Sequence, residues 1–164
     1  MKYKQTRPAS FDEHVYSKKY IINSPVSEVW NVLMRESTFR DTQLWPFRVE
    51  FDSDGAEDRM TVGMDNVHHG PLMLFTGVLT EIREREYRDL HYYLGSYFLS
   101  VRWIRPARLE FFVVDQGDNT GLELRLTTYV RPWIKGIWNS MLSVFWLNFG
   151  SWFNRYVKKQ IRRA

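Results

Sequence analysis

The residues Val15 to Asn23 (VYSKKYIIN) are mostly β-branched and aromatic, and they predict a strand. Ser24-Pro25 then opens a helix, because serine can cap free N–H groups and proline suits the first helical position. Val26, Val29, Trp30 and Leu33 follow at helical spacing and form the face that would meet a sheet. The pattern weakens at Glu36-Ser37, and a second short helix is predicted from Thr38 to Leu44, stopped before Pro46.

From Phe47 to Arg131 the period becomes two. Phe47, Val49 and Phe51 alternate with charged residues, and Asp52 to Asp58 reads as a polar turn. Met60 to Val67 predicts a strand, and His68-His69-Gly70-Pro71 predicts a solvated turn. Leu72 to Glu84 predicts a long strand with Leu72, Leu74, Thr76, Val78 and Ile82 on one face. Leu90, Tyr92 and Leu94 begin the next strand, with His91 opposing them and exposed. Val101 to Val114 continues the alternation, and Pro106 marks a bulge or an edge position within it. Asp115 to Gly121 is a hairpin turn, after which Leu122, Leu124 and Leu126 alternate with Glu123, Arg125 and Thr127. Trp133 to Arg163 contains no proline and predicts one helix, about 45 Å long at 1.5 Å per residue. The order is α+β, with helices on one side of an antiparallel sheet of six or seven strands. Residues 1–164 are expected to form one domain, with residues 1–12 as a loose arm.

Rings change the picture. Seven Trp, nine Tyr and eleven Phe are many for 164 residues, and rings line apolar pockets as well as cores. Charge changes it less. The net charge is +4, but the last ten residues hold Arg155, Lys158, Lys159, Arg162 and Arg163, and without them the chain stands at −1. Cations at a helix C-terminus complement its macrodipole, whereas a nucleic-acid surface carries a basic stripe across a face. No nucleic-acid partner is expected. There is no cysteine, so disulfide and thiolate chemistry are excluded. The first twenty residues are charged and lack an apolar run, which makes a cytoplasmic location the default.

Residues 136–154 carry no charge over nineteen positions, long enough for a membrane span. Three Asn, three Ser and two Gly in that stretch argue against insertion, and the sheet needs this helix to cover its apolar face. Peripheral membrane contact, with Trp at the interface and the basic tail on anionic lipid, stays open. Metal-ligand spacings are missing, so neither a metal nor another cofactor is expected. Phosphate loops and nucleophile elbows are missing too, and no catalytic residue is assigned.

The strand Tyr20-Ile21-Ile22-Asn23, the following Ser24-Pro25-Val26-Ser27-Glu28-Val29-Trp30-Asn31-Val32-Leu33, Trp45-Pro46 and the long last helix resemble the Bet v 1-like or START-like (SRPBCC) superfamily, of the polyketide cyclase/dehydrase and lipid-transport type. The resemblance covers roughly residues 15–163. It implies a helix-grip fold, with a curved antiparallel sheet wrapped around the last helix. It also implies a cavity between them for lipids, sterols, polyketides, quinones or plant hormones. A minority of that superfamily are cyclases, hydratases or other enzymes, and fold alone does not choose between these roles.

Candidate ligand-binding residues follow from the strand parities and the helix spacing. On the strands they are Leu74, Thr76, Val78, Tyr92, Leu94, Tyr97, Trp103, Arg105, Phe111, Leu124 and Leu126. On the helix they are Trp138, Met141, Phe145, Asn148, Phe149 and Trp152. Three readings stay open: binding of a hydrophobic small molecule, cyclase- or hydratase-like catalysis in the same cavity, and an interaction protein that dimerises or meets a membrane through its aromatic helix.

Overall fold

The structure is a computed structural model, and it describes residues 4–41, 46–52, 57–98 and 100–163. Seven strands form one antiparallel sheet: β1 (Asp12–Ile22), β2 (Arg48–Phe51), β3 (Asp65–Gly70), β4 (Met73–Arg83), β5 (Tyr87–Tyr97), β6 (Ile104–Gln116) and β7 (Asn119–Val130). The order across the sheet is β1-β7-β6-β5-β4-β3-β2, so the first strand closes onto the last and the meander runs outward from there. Helices α1 (Val26–Leu33) and α2 (Glu36–Arg40) follow β1, and α3 (Lys135–Phe145) and α4 (Phe149–Ile161) end the chain. This is the helix-grip architecture, with the helices on the inner face of a curved sheet.

The start of α1 differs from expectation. Pro25, not Ser24, occupies the cap position, and no side chain caps the helix. The Ser24 hydroxyl donates to the Asn23 carbonyl (2.7 Å), and the Ser24 carbonyl accepts from Thr120 Oγ1 (2.8 Å). Serine ties the helix entrance to β7 instead. Val29, Trp30, Val32 and Leu33 are buried as the spacing requires. Helix α2 starts earlier than expected and ends at Arg40, and the expected continuation through Leu44 lies outside the described residues.

Three further boundaries moved. The arm is docked, since the Gln5 backbone N–H donates to the Tyr92 carbonyl (3.0 Å) and its side chain to the Gly95 carbonyl (2.9 Å). His68 and His69 lie on β3, not in a turn, and pair with Phe75 and Leu74 of β4. The C-terminal segment is divided: residues 146–148 form a non-helical link between α3 and α4. Tyr20 explains the division. Its hydroxyl donates to the Trp146 carbonyl (2.8 Å), one of the groups the break frees. Its ring lies so close to Gly150 that an added Cβ would stand 2.4 Å from Tyr20 Cδ1.

The core lies between the inner sheet face and the helices. Tyr16, Tyr20 and Ile22 of β1, Leu122, Leu124, Leu126 and Val130 of β7, and Phe111 and Val113 of β6 meet Trp30, Trp138, Leu142, Phe153 and Val157. A smaller cluster, Phe11, Ala107 and Tyr129, is separate from that core.

Candidate functional site

Rings fill the interior that the sequence predicts to be a cavity. At the α3 end, Trp138 meets Tyr97 (centroids 4.8 Å), Tyr97 meets Phe75 (4.7 Å), and Phe75 meets Tyr92 (5.0 Å) and stacks on His68 (4.9 Å, 21°). At the α4 end, Phe149 is the hub for Tyr20, Phe111, Trp146, Trp152 and Phe153, all with centroids within 6.2 Å. A small, partly open cavity near the α2 end of the sheet has a volume of about 30 Å³, bounded among others by Phe39, Phe51, Asn66, His68, Leu79 and Arg88. That is close to the share of liquid volume held by one water.

The polar groups on this cavity are unusual for an apolar interior. Arg88 is 4% exposed and Asn66 3% exposed. Arg88 Nη1 donates to the Leu33 carbonyl (3.0 Å) and contacts Met60 Sδ (2.9 Å). Its guanidinium lies over the rings of Phe39 (4.8 Å) and Phe111 (4.7 Å). No carboxylate pairs with it among the described residues. Burial lowers the Arg88 value to about 10, and the guanidinium stays charged at neutral pH. His68 Nε2 lies 3.3 Å from Asn66 Nδ2 and 3.4 Å from the Tyr92 hydroxyl. Burial, then the Arg88 charge, pull the His68 imidazole down to about 3, so it is neutral, and with its proton on Nδ1 the single Nε2 lone pair faces both donors. Among the described residues, Asn66 Oδ1 is buried without a hydrogen-bonding partner. Burial also raises the Tyr92 and Tyr97 phenols, so both remain protonated donors.

A second polar cluster lies on the other face of β5 and β6. Asp89 accepts two bonds from Arg108 (2.8 and 2.9 Å) and one from Thr80 (3.0 Å), with His91 Nε2 also 3.0 Å away. Tyr87 donates to Glu110 (2.8 Å) and accepts from Arg108 (2.8 Å). Burial alone would raise the Asp89 carboxyl, but the His91 and Arg108 bonds outweigh it and hold the value low. Asp89, Arg108, Tyr87 and Glu110 bond one another and tie two strands together, with His91 Nε2 in charge-contact range of Asp89. His91 is therefore half-buried and paired, not simply exposed.

The candidate residues divide. Tyr92, Phe111, Leu124, Leu126 and Trp138 are buried in the core, and Tyr97, Phe149 and Trp152 pack against it half-buried. Leu74 (46% exposed) and Leu94 (64% exposed) face outward. On β4 the inner positions belong to Phe75 and Leu79, one residue out of step with the expected row, so Thr76 turns outward as well. Leu94 follows because the β4–β5 register shifts at Thr76/Gly77, which reverses the parity after Tyr92. Val78 is buried beside Asp65 and His91 but outside the core. Trp103 packs edge-on to Trp133 (4.7 Å) at the margin, and Arg105 lies over the Phe11 ring (5.6 Å) rather than in the interior. Met141, Phe145 and Asn148 are exposed, since the α3 face turned to the sheet is formed by Trp138 and Leu142.

Arg88, Asn66 and His68 were not among the candidates. Arg88 sits in the charged run Arg83 to Asp89, which resembles a solvated turn. The available signal was parity: Arg88 shares a face with Leu90 and Tyr92.

Helix α3 also carries an exposed apolar face. Trp133 just before it, Ile137, Met141, Val144 and Phe145 are 44–73% exposed. Among the described residues, no helix is long and apolar enough to cross a membrane, and no three metal-binding side chains converge.

No protein-family model matches the chain, and no curated protein matches it. Solved structures do. Norcoclaurine synthase from Thalictrum flavum, in complex with dopamine and hydroxybenzaldehyde, is similar at a TM-score of 0.66 and 12% identity, over 92% of this chain and 89% of that one. The ZhuI aromatase/cyclase from Streptomyces sp. R1128 is similar at 0.62 and 11%, over 92% and 96%. Ara h 8.0201 is similar at 0.63 and 8%, over 90% and 99%. At these identities the likeness is one of fold, and it is the Bet v 1-like fold that the first helix and the last segment resemble.

Proposed function

We propose that this protein binds an apolar small molecule between its sheet and its helices. One observation carries the reading: among the described residues, the polar groups on the interior cavity named above are Arg88, Asn66 and His68, and they converge on a space otherwise walled by rings and aliphatic side chains. Ligand sites in proteins have this composition, a mostly apolar lining with a few placed polar groups. A ligand larger than the cavity would displace half-buried rings, among them Phe51, Tyr97, Phe149 and Trp152. Two structural neighbours are named as enzymes in their own right, a norcoclaurine synthase and an aromatase/cyclase. For this chain the polar set supports binding, since no nucleophile–base pair stands among the interior groups described. Native mass spectrometry of the purified protein tests the reading, with the denatured extract run beside it. A co-purifying apolar molecule at one per chain is expected, and Leu79→Trp, which fills the cavity, should lose it. A protein that carries nothing and takes up no apolar compound from a mixed set would overturn it.

The exposed apolar face of α3 favours a second reading, peripheral contact with an anionic lipid surface. Both α3 and α4 turn one side to the sheet, which leaves their free sides facing away from it. The free side of α3 is apolar, and that of α4 carries Arg155, Lys158, Lys159, Arg162 and Arg163, none ion-paired among the described residues. From Leu124 to the C-terminus the sequence has no acidic residue at all. Apolar insertion beside a basic cluster is the arrangement that holds interfacial helices on anionic membranes. Co-sedimentation with phosphatidylglycerol vesicles should exceed that with phosphatidylcholine vesicles, fall with salt, and be lost in Ile137→Asp/Val144→Asp. Equal partition to both vesicles, or a stable dimer by light scattering that buries this face, would sink it.

A further inference from the structure

A guanidinium has five N–H donors, and burying its charge without a partner is costly. Arg88 is buried on the inner face, and among the described residues only its Nη1 is bonded, to a carbonyl and a thioether. Neither acceptor carries a charge. The rings of Phe39 and Phe111 offset part of the cost, and they also confine the cation to one position. Beside it on the same cavity stand a neutral imidazole and an amide whose Oδ1 has no donor. A purely structural role would not account for a buried cation that lines a cavity, nor for the unsatisfied Asn66 Oδ1 on the same cavity. Both features suit a head group that is anionic and holds at least two oxygens, one facing Arg88. The cavity has room for such a head and little more, and Val49 and Phe51, both half-buried, form its outer wall, along which an apolar tail can lie.

We propose that Arg88 anchors the carboxylate of an otherwise apolar acid, with Asn66 and His68 positioning it. This rests on the container reading above and assigns the ligand class to it: a monocarboxylic acid with a hydrocarbon or aryl tail, bound head-inward. An Arg–carboxylate pair in a water-poor site is a charge-assisted bond, and its loss is felt strongly.

The experiment compares a series of medium-chain and aryl-alkanoic acids with their methyl esters at neutral pH, by calorimetry and by quenching of the tryptophan fluorescence. Acids are expected to bind about tenfold or more tighter than the matched esters. Arg88→Gln should abolish that preference, so that acids bind no tighter than their matched esters. Because Arg88→Gln also removes the bond to Leu33, Asn66→Asp provides an independent arm. It places a carboxylate on the cavity wall, so it should raise thermal stability and weaken acid binding, while Asn66→Ala should not raise stability. Acids and esters that bind the wild type equally would overturn the carboxylate assignment and leave the container reading standing. Binding of neither would overturn both.

Discussion

A strand sends successive side chains to opposite faces, and the adjacent His68 and His69 show what that does to one residue type. His68 turns inward, stacks on Phe75 and is held neutral. His69 turns outward, 3.1 Å from Glu50. Folding thus keeps the His68 value far below the ordinary 6.5. An imidazole so depressed contributes its stability fully above 6.5, and loses it as pH falls from there toward about 3. Urea unfolding of the wild type near pH 7 and near pH 5 should show a total loss of about 2 kcal/mol from this group. His14 is depressed in the same direction, by burial first, which outweighs the opposing Asn139 hydrogen bond, with Lys135 a smaller contributor, and adds to it. His68→Gln is expected to flatten the profile relative to wild type; an unchanged slope would mean that His68 titrates freely. Gly95 is a second position where one residue decides. Its φ is +102°, and a Cβ there would stand 2.1 Å from the Leu74 carbonyl oxygen. Gly95→Ala should lower stability by about 2–4 kcal/mol in a denaturant titration, and a loss under about 1 kcal/mol would contradict this geometry.

At the scale of elements, the division of the C-terminal helix is the main departure from the sequence reading. Nothing in residues 145–150 forbids a continuous helix: there is no proline, and the apolar spacing runs through. The break depends on Tyr20, which is more than a hundred residues away in sequence and meets both the Trp146 carbonyl and Gly150. Alanine is the better helix former by about 1 kcal/mol, so local propensity favours Gly150→Ala. The Tyr20 contact predicts the opposite, a net loss of about 1–2 kcal/mol in urea melts, because the ring and its hydrogen bond must shift. Stabilisation would show that Tyr20 yields freely. Strand identity was legible in the same way that the helix was, and strand facing was not. β1, β6 and β7 kept their alternation over most of their length, and Phe111, Leu124 and Leu126 fell inward as read. β4 and β5 carry register shifts at Thr76/Gly77 and Leu79/Glu81, and Leu74, Thr76 and Leu94 fell outward.

At the scale of the whole molecule, the sheet has two unlike ends. β1 pairs along its full eleven residues with β7, and α3 and α4 lie over it, whereas β2 is four residues long and pairs only with β3. Local opening follows such differences. Hydrogen exchange should find the amides of β6 and β7 slowest and those of β2 fastest among the strands; β2 protected as well as β7 would contradict it. The element order, the α+β class and the inward row of β7 were set by the sequence itself, because helix and strand periods are local and a hairpin turn is written in a few residues. So was the helix-grip resemblance, since the entry to α1 is a contiguous motif. Tertiary structure alone decided three things: that rings would pack into the expected cavity, that the last helix would break against Tyr20, and that Arg88 would point inward with no carboxylate paired to it among the described residues. Each depends on what stands opposite a residue across the core, and no local pattern carries that information.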